Sequence, residues 1–298
     1  MAKHVIVTGG NSGIGKATAL ELAKRGMAIT LACRNVESGS NAVRELISLT
    51  GNQSIRSMQC DLASFRSIRK FVDEYRRAGY PLHVLINNAG VMACPLDFTR
   101  DGFEMQFGTN HLGHFLLTIL LMELLHSSAT KLRKTSRVVV LASEAERIGQ
   151  LDFEDLNFSN KRVYNPWLAY AQSKLANCLF SLELSRQCES LNLPITCNSI
   201  HPGIVDTKLI RHVFPGAMAD TSEGKVRSIL RKLIGLRSPL EGAQTAIHLA
   251  TSDEVEFVTG QYFKNCCVAK PSSQAMDKTI ARKLWQVCEE LTGDKLNV

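Results

Sequence analysis

Short β-like runs, most of them apolar, alternate with longer stretches of helical periodicity along this chain, and few folds accommodate that rhythm. The runs are His4–Val7, Ala28–Ala32, Ile55–Cys60, Val84–Asn87, Arg137–Ala142, Ile195–Ile200 and Gln261–Phe263. Between them the spacing predicts helices over Ile14–Arg25, Ser64–Arg77, His111–Leu125, Leu168–Cys188 and Glu241–Ala250. A strand that is apolar on both faces must be covered on both faces. This happens when each strand returns through a helix to lie parallel to its neighbour. The expected architecture is α/β, a doubly wound parallel sheet built as a single domain over residues 1–298.

The turn after the first run carries the first chemistry. Thr8-Gly9-Gly10-Asn11-Ser12-Gly13-Ile14-Gly15 leads from strand into helix without a break. Glycines at 9, 13 and 15 let the backbone turn tightly and approach a pyrophosphate, whose charge then lies on the helix N-terminus. This places a dinucleotide on Gly9, Asn11, Ser12, Gly13, Ile14 and Gly15 and makes the sheet Rossmann-type. The second run closes on Arg34, with no Asp or Glu at its end. A carboxylate there would bond a ribose 2′-hydroxyl, whereas a guanidinium fork matches a 2′-phosphate, so the expected cofactor is NADP(H). Asp61 and Leu62 close the third run where an adenine would lie. Asn88, Ala89 and Gly90 close the fourth, again with a glycine at the ligand edge.

Tyr170 and Lys174 stand at i and i+4 on one helix, and so share a face. A free phenol titrates near ~10 and is a poor acid or base at neutrality. An adjacent ammonium is expected to pull Tyr170 down toward the working range, and the same Lys174 can hold a nicotinamide ribose. Ser143, at the end of the fifth strand, is placed to reach a substrate carbonyl. Asn110 is expected to open the helix after the fourth strand, with its amide holding a water chain that links Lys174 to solvent.

Thr8–Gly15, Asn87–Gly90, Asn110, Ser143, Tyr170 with Lys174, and His201-Pro202-Gly203-Ile204-Val205-Asp206-Thr207 together resemble the short-chain dehydrogenase/reductase family. The stretches Asn110–Phe115, Ser173–Asn177 and Thr279–Trp285 are similar to its retinol-dehydrogenase-like branch, which includes the WW-domain oxidoreductases. The resemblance implies a tetrad of Asn110, Ser143, Tyr170 and Lys174, with Tyr170 as general acid in reduction and base in oxidation. It implies that Pro202, Gly203, Val205 and Thr207 meet the nicotinamide half, with Thr207 on its carboxamide. It also implies a small lipophilic carbonyl or alcohol as substrate, and either a monomer or a homo-oligomer formed through the helices around Asn110 and Tyr170. An NAD-linked alcohol dehydrogenase and a non-catalytic nucleotide-sensing regulator are the alternatives on the same fold.

The remaining features bound the partners. The formal net charge is +7, yet the densest basic run, Lys131 to Arg137, has no interleaved aromatic residues for base stacking, so no nucleic acid is expected. Nine cysteines without paired metal or disulfide spacing point to reduced thiols, a cytoplasmic location and no metal site. His111 and His114 lack a third ligand and read as structural. No signal peptide or membrane-spanning segment is expected, since the apolar run Phe115–Leu125 is short of the ~20 residues a span needs. Residues 204–239 interrupt the strand–helix rhythm at the ligand edge. Within them Lys225–Ile234 has an apolar stripe opposed by basic residues, read as a substrate lid or a weak membrane-surface contact. Phe153, Phe158, Tyr164, Trp167 and Phe214 are candidates for a pocket wall.

Overall fold

A computed structural model describes residues 2–159, 162–206 and 236–297. Each of these runs becomes a strand: β1 (His4–Thr8), β2 (Ala28–Cys33), β3 (Ile55–Gln59), β4 (Val84–Asn87), β5 (Ser136–Leu141), β6 (Ile195–His201) and β7 (Tyr262–Lys264). A short β8 (Cys267–Ala269) turns back antiparallel on β7. The sheet order is β3-β2-β1-β4-β5-β6-β7-β8, parallel from β3 to β7. The order reverses between β1 and β4, and ligands in such sheets lie beyond the strand carboxyl ends at that crevice.

The helices are α1 (Gly13–Lys24), α2 (Val36–Thr50), α3 (Phe65–Arg77), α4 (Gly113–Leu132), α5 (Pro166–Ser190), α6 (Pro239–Thr251) and α7 (Lys278–Thr292). They divide between two faces because β1 alternates its side chains. Val5 and Val7 join Leu22, Leu46 and Ala246 of α1, α2 and α6 in one core. Ile6 joins Phe71, Phe115, Leu175 and Trp285 of α3, α4, α5 and α7 in the other.

Two helices were not expected from the spacing. α2 starts in a polar stretch with Gly39 inside it, and what fixes it is a cap: the Asn35 side chain accepts from Ser38 N. α7 is capped by Asp277, which accepts from Thr279 N and Ile280 N. α4 is also longer than the predicted His111–Leu125. A helical turn at Met105–Phe107 and a π turn at Gly108–Leu112 run straight into it. The continuous helix 105–132 is long and apolar enough to cross a membrane, contrary to the short span read from sequence. However, 72% of its apolar window is buried inside the protein.

Two residues of the basic run before β5 have partners. Lys134 lies 3.6 Å from Asp253 and 3.9 Å from Glu256, and buried Arg137 donates to Leu249 O. All nine cysteines are free thiols.

Candidate active site

The glycine turn after β1 has the shape a phosphate requires. Gly9 (φ +62°) and Gly13 (φ +52°) occupy left-handed backbone that favours glycine. At Gly15 a Cβ would stand 2.4 Å from Asn88 Nδ2 and 2.6 Å from Gly9 O, so only hydrogen fits. Ser12 is the N-cap of α1 but makes no side-chain capping bond, which leaves the first-turn N–H groups without a cap. Asn11 Nδ2 donates to Ser38 Oγ and ties the turn to α2. Ile14 lies beside Gly242 and Val205.

One hydroxyl joins this turn to β4. Thr8 Oγ1 accepts from Asn88 N at 2.8 Å and Ala89 N at 2.9 Å, and Asn88 Nδ2 returns a bond to Thr8 O. Behind Thr8 lies His114, whose Nε2 is 2.9 Å from Oγ1 and whose Nδ1 is 2.9 Å from Asn110 O. A carbonyl only accepts, so Nδ1 carries the proton and Nε2 takes the Thr8 hydrogen. Burial holds His114 down at about 3, which keeps this imidazole neutral.

Arg34 follows β2 at the same edge, exposed, with no side-chain hydrogen bond or ion pair among the described residues. Asp61 Oδ1 accepts from Ala63 N, and its Oδ2 lies 4.0 Å from Arg100. Leu62 is buried, with its carbonyl pressed against Gly113. Beyond β6, Pro202 and Gly203 (φ +87°) lead to Val205, which bridges to Arg237 and packs on Gly242 of α6. Thr207, Phe214 and Lys225–Ile234 lie outside the described residues, as does most of the 204–239 segment. The residues present therefore fit a dinucleotide: Cβ-free turns, an uncapped helix N-terminus and an available cation converge at one sheet edge.

Ser143, Tyr170 and Lys174 meet beside that edge. Ser143 caps a short 3-10 turn (Glu144–Ile148), and its hydroxyl is near enough to the Tyr170 phenol to favour the ionised form. The Lys174 ammonium stands 5.5 Å from the Tyr170 ring centroid. A Cβ on Gly90 would lie 3.9 Å from Lys174 Nζ and 3.0 Å from Asn110 Oδ1, so the fourth strand's glycine faces both.

Two sequence expectations fail in detail. Tyr170 is not lowered: burial pushes its phenol up to about 12, opposed only by the nearby Ser143 hydroxyl. Lys174 adds no lowering pull; its Nζ donates to Leu141 O at 3.0 Å, and burial holds the ammonium itself down at about 8. Asn110 does not open its helix, and its amide is not free for a water chain. It sits in the π turn, its Oδ1 accepts from Val91 N, and its Nδ2 donates to Val91 O and Ser173 Oγ. Asn110 therefore pins the strand-4 loop against α5.

The candidate pocket wall also resolves differently. Phe158 is buried under Arg162 and against Tyr164, and Phe153 lies under Lys283, so both serve local packing. Trp167 is exposed. Tyr164 donates to Cys94 O, and Gln106 accepts from Ala93 N, so these two side chains hold the loop after Gly90. Thr8, Ser173 and Asn177 lie inside the motifs quoted from sequence but were given no role there, because their partners lie many residues away.

The family described as short chain dehydrogenase matches residues 3–154, which hold β1 to β5 and the glycine turn. The chain belongs to the short-chain dehydrogenase family. Human retinol dehydrogenase 11 is 44% identical over 98% of this chain and 86% of its own length, and human retinol dehydrogenase 13 is 43% identical over 98% and 85%. Among solved structures, an uncharacterized protein from Mycobacterium paratuberculosis matches with 32% identity and a TM-score of 0.76, covering 99% of this chain and 95% of that one. The Pseudomonas aeruginosa RhlG/NADP active-site complex shares the fold at 23% identity and a TM-score of 0.68, covering 88% of this chain and 94% of that one. This short-chain dehydrogenase is thus an oxidoreductase of the retinol-dehydrogenase-like branch.

Proposed function

We propose that the chain is an NADP(H)-dependent reductase of a small lipophilic aldehyde or ketone, running in reverse on the corresponding alcohol. The observation that carries this reading is the meeting of Ser143, Tyr170 and Lys174 beside Gly90 at the carboxyl edge of the sheet.

Carbonyl reduction starts from a protonated phenol. With the phenol up at about 12 and the ammonium down at about 8, the ligand-free pair at neutral pH is a protonated Tyr170 beside a largely charged Lys174. That is the state a carbonyl reduction consumes: Tyr170 gives its proton to the developing alkoxide while Ser143 donates to the same oxygen. A bound nicotinamide would supply the hydride. Lys174, once on the nicotinamide ribose, would bring its charge toward Tyr170 and ease the phenolate formed. Asn110 contributes by holding Val91 and Ser173, not by touching substrate.

The choice of NADP(H) rests on Arg34, the available guanidinium at the end of β2 where no carboxylate stands. The lipophilic substrate class rests on the retinol dehydrogenase relatives. Tyr170→Phe should abolish turnover of aldehydes with NADPH while NADPH still binds; retained turnover would refute the mechanism. Arg34→Ala should weaken NADPH binding roughly tenfold or more and leave NADH nearly unchanged, since each ~1.4 kcal/mol of lost phosphate contact is a factor of ten. Equal losses would refute the cofactor choice.

A further inference from the structure

The Lys174 ammonium, 5.5 Å from the Tyr170 ring centroid, is tied to the main chain. It donates to the carbonyl of Leu141, the last residue of β5, in a site closed to water. Any shift of the ammonium from that carbonyl toward a cofactor ribose takes this donor with it. A buried carbonyl stripped of its donor resists such a move, because nothing replaces the lost bond.

The Leu141 carbonyl has a second donor. Asn177, one turn beyond Lys174 on α5, donates Nδ2 to the same oxygen at 3.0 Å. A carbonyl oxygen has two lone pairs, and the two side chains occupy both. Asn177 is itself held from behind. Its Oδ1 faces His111 Nδ1 at 3.2 Å, and His111 Nε2 faces Cys288 Sγ of α7 at 3.2 Å. Since Asn177 must present its amide nitrogen to Leu141, His111 donates through Nδ1 and accepts the Cys288 S–H through Nε2. Asn177 and His111 are 2% and 1% exposed, so the amide cannot turn to water.

We infer that Asn177 is a positioning residue that releases Lys174 to the cofactor, by keeping the Leu141 carbonyl hydrogen-bonded after the ammonium departs. This deepens the dehydrogenase reading above and rests on it. Without Asn177, Lys174 is the only side-chain donor on that carbonyl, and every cofactor-binding event leaves a buried acceptor bare. The unmet His111 N–H in such a variant is the same with and without cofactor. It lowers stability but cancels from the binding constant.

The test is a pair of titrations on Asn177→Leu and Asn177→Ser, neither of which can reach Leu141 with a donor. NADPH should bind about tenfold more weakly, equivalent to ~1.4 kcal/mol. 2′,5′-ADP, which lacks the nicotinamide ribose and makes no demand on Lys174, should bind as to the unaltered chain. In a Lys174→Met background the Asn177 change should have no further effect on NADPH. Unchanged NADPH affinity, or equal losses for NADPH and 2′,5′-ADP, overturns the inference. A crystal structure of the unaltered chain with NADPH decides independently of how the variants fold: Asn177 should remain on Leu141 O with Lys174 gone from it. Lys174 still on Leu141 O overturns the idea. An unaltered chain that binds 2′,5′-ADP and not NADPH overturns the dehydrogenase reading itself.

Discussion

Replacing Thr8 by Val removes one hydroxyl and keeps the shape, yet the structure makes the loss large. Thr8 is fully buried, and Oγ1 serves Asn88 N, Ala89 N and His114 Nε2 together. The variant leaves two amide donors and one imidazole acceptor without partners. Each orphaned buried group costs ~1–3 kcal/mol, so about 3–6 kcal/mol is expected after partial relaxation, a large share of the 5–15 kcal/mol typical of a folded domain. Thr18→Val is the matched control. Thr18 is equally buried, but its hydroxyl only doubles up on the Ile14 carbonyl of its own helix, so the cost should stay below ~1 kcal/mol. Urea unfolding of both variants, with NADPH titration of each, measures the difference. Similar small losses in the two would refute the claim that Thr8 joins β1 to β4, and full NADPH affinity in Thr8→Val would refute its link to the nucleotide turn.

Gly15→Ala should abolish NADPH binding and destabilise the fold by ~1–3 kcal/mol, because the new methyl meets the backbone oxygen of Gly9 at 2.6 Å; calorimetric titration and a thermal melt check both. His83, His111, His114 and His201 are held neutral by burial at about 4, 4, 3 and 4, below the 6.5 of an unfolded chain. The unfolded state therefore binds more protons than the folded one across pH 6.5 to 4. Their stability contribution is present above pH 6.5 and is lost on acidification, with a slope of up to roughly 5 kcal/mol per pH unit from four protons. A flat urea midpoint between pH 6.5 and 4.5 would contradict this. Trp285 of α7 lies 5.0 Å from Phe115 and 5.9 Å from Phe180, ring centroid to centroid. Trp285→Ala should cost ~3–5 kcal/mol and expose faces of α4 and α5, so light scattering should show larger aggregates than the unaltered chain forms under the same conditions.

The central strands were readable because parallel strands buried on both faces are apolar along most of their length. Edge strand β3, Ile-Arg-Ser-Met-Gln, is not, and the apolar run Phe115–Leu125 is told from a strand only by its length. The glycine turn was readable for a local reason too: positive φ at 9 and 13 and the close approach at 15 each demand glycine. α2 was hidden because Ser38, Gly39, Ser40 and Asn41 dilute its periodicity, and its stability comes from the Asn35 cap and from Leu46 on the sheet. The residue types at the site were legible, but their protonation was not. The i, i+4 spacing of Tyr170 and Lys174 says that they share a face. It does not say that a strand-end carbonyl 33 residues away in sequence competes for the ammonium. Asn110 was misread for the same reason, since its amide partners at Val91 and Ser173 come from other elements.

The π turn at Gly108–Leu112 carries one extra residue inside a continuous helix. Gly113 N reaches back to Gly108 O, one residue further than an α turn. Because the extra residue is taken up within a single turn, dropping it would close the stretch to an α turn and leave the helix beyond nearly in phase with Met105–Phe107. What would change is the spacing between Gln106 and Asn110, which grip Ala93 and Val91 of one loop. The length of this stretch is therefore tied to that loop rather than to the helix that follows.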